Sequence, residues 1–215
     1  MIGNFFIISI ASAILLAYLI GSIPSSVWIG RLFFGIDVRK KGSGNAGATN
    51  TIRVLGAKAG IPVLAIDVVK GWFAVYLANI FAPSYYDDWQ IINLKIVLAL
   101  VATLGHIFPI YVGFKGGKGV ATMVGIMIAL YPDVFLFVLG VFILVFVLFK
   151  YVSLASVFAA ISFPFIVYFF SREHYTTLVL FSVLVAVFIP ITHTKNLRRL
   201  RAGEERKFSI RKTKV

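Results

Sequence analysis

Seven apolar stretches follow one another along the chain, at residues 3–28, 58–82, 94–113, 118–131, 133–150, 153–170 and 175–192. A helix needs about 20 apolar residues to cross the hydrocarbon core of a bilayer, fewer where it is partly shielded. The pattern predicts an all-α, polytopic membrane protein with seven transmembrane helices. The second stretch carries Asp67 and Lys70, and the fourth is short and follows glycine-rich backbone directly. The competing count is five, with the short pair 118–150 re-entrant. The first stretch is longer than a signal-peptide core and has no basic residues before it. It reads as a retained span, not a removed signal.

Composition agrees with the pattern. Of 215 residues, 60% are hydrophobic and only 13% charged, with a mean hydropathy of +0.96. Soluble domains carry roughly 25% charged residues. One integral-membrane domain over 1–215 is expected, ending in a basic tail over 193–215. The absence of cysteine excludes disulfides, thiolate metal sites and a cysteine nucleophile. The net charge of +13 invites a nucleic-acid reading, but nine of the 21 basic residues lie after Ile191, directly behind an apolar span. Such a tail normally faces anionic lipid at the cytoplasmic leaflet. No stacking groove or recognition motif accompanies the charge, so no nucleic-acid partner is expected.

The remaining charges set an orientation. Arg31, Arg39, Lys40, Lys41, Arg53 and Lys58 flank the first connection, Lys115 and Lys118 the third, and Lys150 the fifth. The opposite connections hold Asp87, Asp88, Asp133 and Glu173, with only Lys95 and Arg172 as cations. The positive-inside rule puts the N-terminus outside and the C-terminus in the cytoplasm. An odd number of spans agrees with that.

Three polar segments then fall at the cytoplasmic boundary. The first is Lys41-Gly-Ser-Gly-Asn-Ala-Gly-Ala-Thr-Asn50, with Arg53 just beyond. Glycine lets backbone approach a ligand closely, so Gly42, Ser43, Asn45, Thr49 and Asn50 beside Lys and Arg suit an anionic group. In a bilayer such backbone must be buried in protein or line a polar cavity. The plain alternative is a solvated loop. The second segment, Gly113-Phe-Lys-Gly-Gly-Lys-Gly-Val-Ala-Thr122, opens the short fourth span. Lys115, Gly116, Gly117 and Lys118 make a candidate phosphate cradle at a helix start. It is no Walker A loop, because Gly113 to Gly117 is one residue short and Gly119 stands where Ser or Thr would bind magnesium. The third segment runs from His193 to Glu205. His193 and Asn196 are three apart and share a helix face.

Two polar features lie inside the spans. Asp67 and Lys70, at i,i+3 spacing, pair or else let Lys70 snorkel to the boundary; the preferred reading turns both toward a polar cavity. His106, beside Gly105, is either a site residue or the partner in a helix–helix hydrogen bond.

These clusters, in this order, resemble the bacterial acyl-phosphate:glycerol-3-phosphate acyltransferase family, the PlsY type. The resemblance begins at Gly21-Ser-Ile-Pro24 and passes through Gly42–Asn50 and Arg53. It continues through Asp67, Lys70-Gly71, Gly105-His106-x-Phe-Pro109 and Lys115–Gly119, and ends at His193, Asn196, Arg199, Leu200, Gly203 and Glu204. It implies a seven-helix inner-membrane enzyme that moves a fatty acyl group from acyl phosphate to the 1-hydroxyl of glycerol 3-phosphate, giving lysophosphatidic acid and phosphate. Ser43, Arg53, His193 and Asn196 match its catalytic positions. Asn45 and Thr49 or Asn50 match further ligands, and Lys115, Gly116, Gly117 and Lys118 the glycerol-phosphate loop, with Gly42, Lys70 and His106 as added binding candidates. Glu204 matches a structural position. Thr192 stands before His193, where the family often has Arg. None of His106, His174 or His193 is followed by Asp at the fifth position, so the dyad of acyltransferases with soluble donors is absent. The expected partners are the two substrates and membrane lipid, with the chain active as a monomer and no cofactor or metal. No carboxylate cluster marks a cation site.

Acyl phosphate is already activated, so direct attack by the substrate hydroxyl needs no covalent enzyme intermediate. His193 is one candidate base, because the ordinary imidazole pKa lies near working pH. A substrate phosphate oxygen is the other, and the crowd of cations favours it. Two other function classes compete: a transporter or channel for a small anion, and a lipid-binding scaffold using only the tail. The polar groups gather at one face and not at midplane, which counts against transport. A scaffold leaves the glycine loops without a purpose.

Overall fold

The computed structural model describes residues 2–172 and 175–209. Glu173 and His174, which bear on the outer charge count and the dyad, lie outside the described residues, as do the last six positions of the basic tail, 210–215. The described chain is helical throughout, with no strand. It forms two compact units, one within residues 2–130 and one over Tyr131–Ser209.

The first unit contains α1 (Ile2–Gly21), α2 (Ser25–Phe34), α3 (Ala48–Leu55), α4 (Ala57–Phe81), α5 (Asp88–Ile107) and α6 (Val120–Leu130). The first apolar stretch is therefore two helices and not one continuous 3–28 span. Pro24, which cannot continue a helix from the preceding turn, stands at the break, and the axes bend by 44°. Asp87 starts α5 earlier than hydropathy indicates. Its carboxylate accepts from the Gln90 N–H at 2.8 Å while the Gln90 side chain accepts from the Asp87 N–H, a reciprocal cap. Pro109 ends the regular helix, and a short 3-10 turn over Ile110–Val112 continues it, so the span expected at 94–113 runs Asp88–Val112.

Small residues let these helices approach closely. A Cβ on Gly71 would overlap the carbonyl of Thr122, and one on Gly125 the carbonyl of Val68, so α4 and α6 touch backbone to backbone. Gly21 against Ala102, and Gly105 against Tyr18, do the same for α1 and α5. Close contact of this kind is what holds helices together where lipid is as apolar as leucine. A core of Ala13, Ala17, Ala74, Leu77, Leu98 and Ala102 fills the space between α1, α4 and α5.

The second unit contains α7 (Phe135–Phe149), α8 (Val152–Phe170), α9 (Thr176–Thr192) and α10 (Thr194–Arg201). Its centre is Tyr131, fully enclosed against Phe163 and Phe181, whose hydroxyl donates to the Leu178 carbonyl at 2.7 Å. By length and composition, α4, α5 and α8 are able to cross a membrane. The bent pairs α1–α2 and α9–α10 raise the number to five, and the fourth and fifth stretches of the sequence appear as the shorter apolar helices α6 and α7.

Candidate active site

The 42–53 loop is built around Asn50, the third residue of α3. Asn50 is 1% exposed. Its side-chain oxygen accepts from the Ser43 N–H at 2.8 Å. Its amide nitrogen donates to the carbonyls of Val38 at 2.9 Å, Asn45 at 3.0 Å and Lys41 at 3.2 Å. Buried backbone groups need such partners, and one asparagine supplies four of them here. Gly42 has a positive φ of 64°, and a Cβ on it would overlap the Asn50 oxygen. The side chain of Ser43 is left at the exposed surface of the loop. Thr49 and Arg53, four apart on α3, share a face and are half-buried.

The second loop folds back onto the end of α5. The Gly116 N–H donates to the Ile107 carbonyl at 3.0 Å and the Gly117 N–H to the His106 carbonyl at 3.2 Å. These two amides are spent inside the protein. Glycine is needed at both positions for close packing. A Cβ on Gly116 would overlap the His106 carbonyl, and one on Gly117 the His106 ring, with the Ala46 carbonyl 2.8 Å away. Ala46 belongs to the first loop, so the two loops meet here. Lys115 is exposed and Lys118 half-buried.

A second link joins the loops. The Arg39 guanidinium donates to both oxygens of Asp37, at 3.1 and 2.9 Å, and to the carbonyls of Val112 at 2.9 Å and Lys115 at 3.1 Å. Arg31 also donates to Asp37, at 2.8 Å. The Arg39 side-chain bonds hold the Asp37 carboxyl far below the usual carboxylate range; burial opposes this, and the Arg39 N–H and Arg31 add to it. The carboxylate in turn raises Arg39.

Beneath the loops lies a buried polar cluster. Lys70 Nζ lies 2.8 Å from Asp67 Oδ1 and donates to the Ile23 carbonyl at 2.9 Å. Ser25 donates to the same Asp67 oxygen at 2.8 Å. His106 Nδ1 is 3.1 Å from the Thr122 hydroxyl and 3.8 Å from Asp67 Oδ1. Asp67 and Lys70 pair, as their spacing predicts, but they are enclosed, at 1% and 4% exposure. Lys70 is bonded to Asp67 and to the Ile23 carbonyl and does not snorkel.

The second unit carries the third segment. His193 caps the end of α9, and its Nδ1 lies 2.8 Å from the Ile189 carbonyl. A carbonyl only accepts, so Nδ1 carries the proton and a neutral ring keeps its basic lone pair on Nε2. The Asn196 amide donates to Glu205 Oε1 at 2.6 Å, which directs its own oxygen the other way. Ser153 donates to the same carboxylate at 2.9 Å, and Arg199 to its other oxygen at 2.8 Å. Glu205 thus ties three side chains of this unit together. Glu204 is exposed, and its backbone N–H closes onto the Arg199 carbonyl at 2.8 Å. Burial disfavours the Glu205 carboxylate, yet the bonds from Asn196, Arg199 and Ser153 outweigh it and leave the group below its ordinary value.

The family model for glycerol-3-phosphate acyltransferases matches residues 11–203. The chain belongs to this family. A glycerol-3-phosphate acyltransferase of Fusobacterium nucleatum is 48% identical over 197 residues, covering 92% of this chain and 97% of its own length. One from Chlorobium phaeobacteroides is 44% identical over 88% and 92% respectively. A crystal structure of PlsY, an integral membrane glycerol 3-phosphate acyltransferase, in its glycerol 3-phosphate form superposes with a TM-score of 0.83 at 36% identity. It covers 94% of this chain and 96% of that one. The lysophosphatidic acid form of PlsY gives 0.80 at 35% identity, with the same coverage. The chain is thus an acyltransferase of the PlsY family and an integral membrane protein.

For this acyltransferase, sequence reasoning passed over Asp37, Arg39, Ser25, Thr122 and Glu205. Ser25 and Thr122 bond residues 42 and 16 positions away, a pairing no local spacing reveals. Arg39 counts in the sequence only as a boundary charge and Asp37 not at all, although Asp-x-Arg stands shortly before the glycine loop.

Proposed function

We propose that the chain transfers a fatty acyl group from acyl phosphate to the sn-1 hydroxyl of glycerol 3-phosphate, giving lysophosphatidic acid and inorganic phosphate, the first acylation of phospholipid synthesis. The observation that carries the reading is the joining of the 42–53 and 113–119 loops within one unit. That joining gathers Ser43, Arg53, Lys115 and Lys118 on two adjacent segments. The names of the relatives supply the acceptor and the product class. The preference for acyl phosphate follows from the motifs and from the chemistry of a donor that needs no covalent enzyme intermediate.

In the proposed reaction the acceptor hydroxyl oxygen attacks the carbonyl carbon of acyl phosphate. The bond from that carbon to the phosphate oxygen breaks, and phosphate leaves with its electron pair. Arg53, Lys115 and Lys118 hold phosphate groups, and the Ser43 hydroxyl stabilises the oxyanion. Gly42, Gly116, Gly117, Asn45 and Thr49 shape the binding surface. Asn50, Lys70 and His106 stand as further binding residues; Asn50 also holds the first loop closed and His106 packs under Gly117 of the second. The hydroxyl proton goes to a phosphate oxygen or to His193 Nε2; Asn196 orients the reacting groups.

The proposed setting is the bacterial inner membrane, with seven spans, the N-terminus outside, and the site and tail facing the cytoplasm. The chain acts there as a monomer. The test is phosphate release by purified protein given acyl phosphate and glycerol 3-phosphate. Release that requires both substrates supports the reading; none above a protein-free control rejects it. His193→Gln then separates the two bases: complete loss at every pH assigns the proton to His193, and a modest loss assigns it to phosphate.

A further inference from the structure

The second loop contains a conformation that its sequence does not favour. Gly113 has φ 71° and Phe114 has φ 59°, so a bulky residue follows glycine in the left-handed region. Such a residue costs roughly 1–2 kcal/mol there and persists only where neighbours hold it. Three contacts hold this one. The Phe114 N–H donates to the Pro109 carbonyl at 2.9 Å, and Arg39 Nη1 grips the carbonyls of Val112 and Lys115, on either side of the unfavourable pair. The other edge of the same guanidinium is locked onto Asp37.

From this geometry we infer that Arg39, set by Asp37, is a positioning residue that clamps the Val112–Lys115 turn and so presents Lys115 and Lys118 for substrate phosphate. Four of the five guanidinium N–H groups are already directed at oxygen atoms of the protein, so Arg39 holds the loop and does not bind phosphate itself. Lysine is a poor substitute, because a point charge cannot span a carboxylate and two carbonyls in one plane. The clamp lies entirely within residues 37–115, so it couples the loop carrying Ser43 to the loop carrying the lysines through one planar group. The inference rests on the acyltransfer reading for its kinetic consequence but not for its structural one.

The test has two arms. In the first, glycerol 3-phosphate is varied at saturating acyl phosphate with purified wild type, Arg39→Lys, Arg39→Ala and Asp37→Asn. Displacing phosphate-binding groups by a fraction of an ångström raises KM for glycerol 3-phosphate about tenfold in Arg39→Ala, with kcat changed less than about threefold. Arg39→Lys and Asp37→Asn fall between. An unchanged KM, or a loss confined to kcat, overturns the proposal. In the second arm, amide hydrogen exchange is followed over residues 112–117 in the same proteins without substrate. The clamp requires faster exchange there in Arg39→Lys and Asp37→Asn, with α4 unchanged. Equal exchange overturns it. If Arg39→Ala fails to fold, the two milder variants decide both arms. A wild type that releases no phosphate overturns the acyltransfer reading, and exchange still decides the clamp.

Discussion

Glu205 and Glu204 are adjacent and chemically alike, yet only Glu205 organises the third segment. Its carboxylate collects Asn196, Arg199 and Ser153, and its side chain is 8% exposed. Losing charge-assisted bonds of this kind costs about 1.5–3 kcal/mol, so Glu205→Gln lowers turnover roughly tenfold or more, while Glu204→Gln stays near wild type. Side-by-side kinetics of the two variants decide the matter; equal effects sink the assignment. Both Asp37 and Glu205 have carboxyl groups held below their ordinary values. A depressed folded-state value gives stability that is complete above the unfolded value, about 4, and lost as pH falls through the folded one. The thermal midpoint therefore stays level with respect to these groups down to about pH 5 and drops below it. Asp37→Asn begins lower and drops less, as melting curves between pH 3 and 7 would show. At this scale the sequence displayed residue types correctly but not their commitments. The sequence places Asn50 among glycines, and only the fold reveals that its amide ties its own loop together.

Helices were easier to read than residues, because an apolar run long enough to span leaves little choice of secondary structure. The 58–82 stretch appears as α4 over Ala57–Phe81 and the 153–170 stretch as α8 over Val152–Phe170. The errors fall where local chemistry overrides hydropathy. Pro24 divides the first stretch, and the Asp87 cap extends α5 toward the N-terminus. Helix pairing was not legible at all, because it depends on which glycines meet backbone. That dependence separates two substitutions of identical chemistry. Gly71→Ala forces a methyl into the Thr122 carbonyl and destabilises the protein by about 1–3 kcal/mol, since backbone on both sides cannot yield. Gly140→Ala in α7, where nothing lies within 4 Å, leaves the melting temperature unchanged or slightly higher. Equal melting temperatures for the two variants would remove the case for close α4–α6 packing.

The number of crossings is a question for the whole molecule, and the short helices put it under tension. At 1.5 Å per residue, the 11 residues of α6 rise about 16 Å and the 15 of α7 about 22 Å, both less than a hydrocarbon core of about 30 Å. Hydropathy alone allows these two helices to enter and return on the same side. Charge argues otherwise. The connection between them holds Asp133 and no cation, whereas Lys115 and Lys118 precede α6 and Lys150 follows α7. That alternation fits two short crossings whose ends are shielded or thin the bilayer locally. The chain has no cysteine, so single cysteines can report sidedness without background. Ser84 and Arg172, both exposed, read outside in either count, and Lys58 and Lys150 read inside in either count, so they serve as controls. Pro132, exposed between α6 and α7, separates the counts. With seven spans, Pro132→Cys in intact cells reacts with an impermeant maleimide as Ser84→Cys does. With 118–150 re-entrant, it reacts only after the membrane is opened. Labelling confined to opened cells would reduce the count to five while keeping both glycine loops on the cytoplasmic side, because re-entry leaves Lys115 and Lys150 where the seven-span reading puts them.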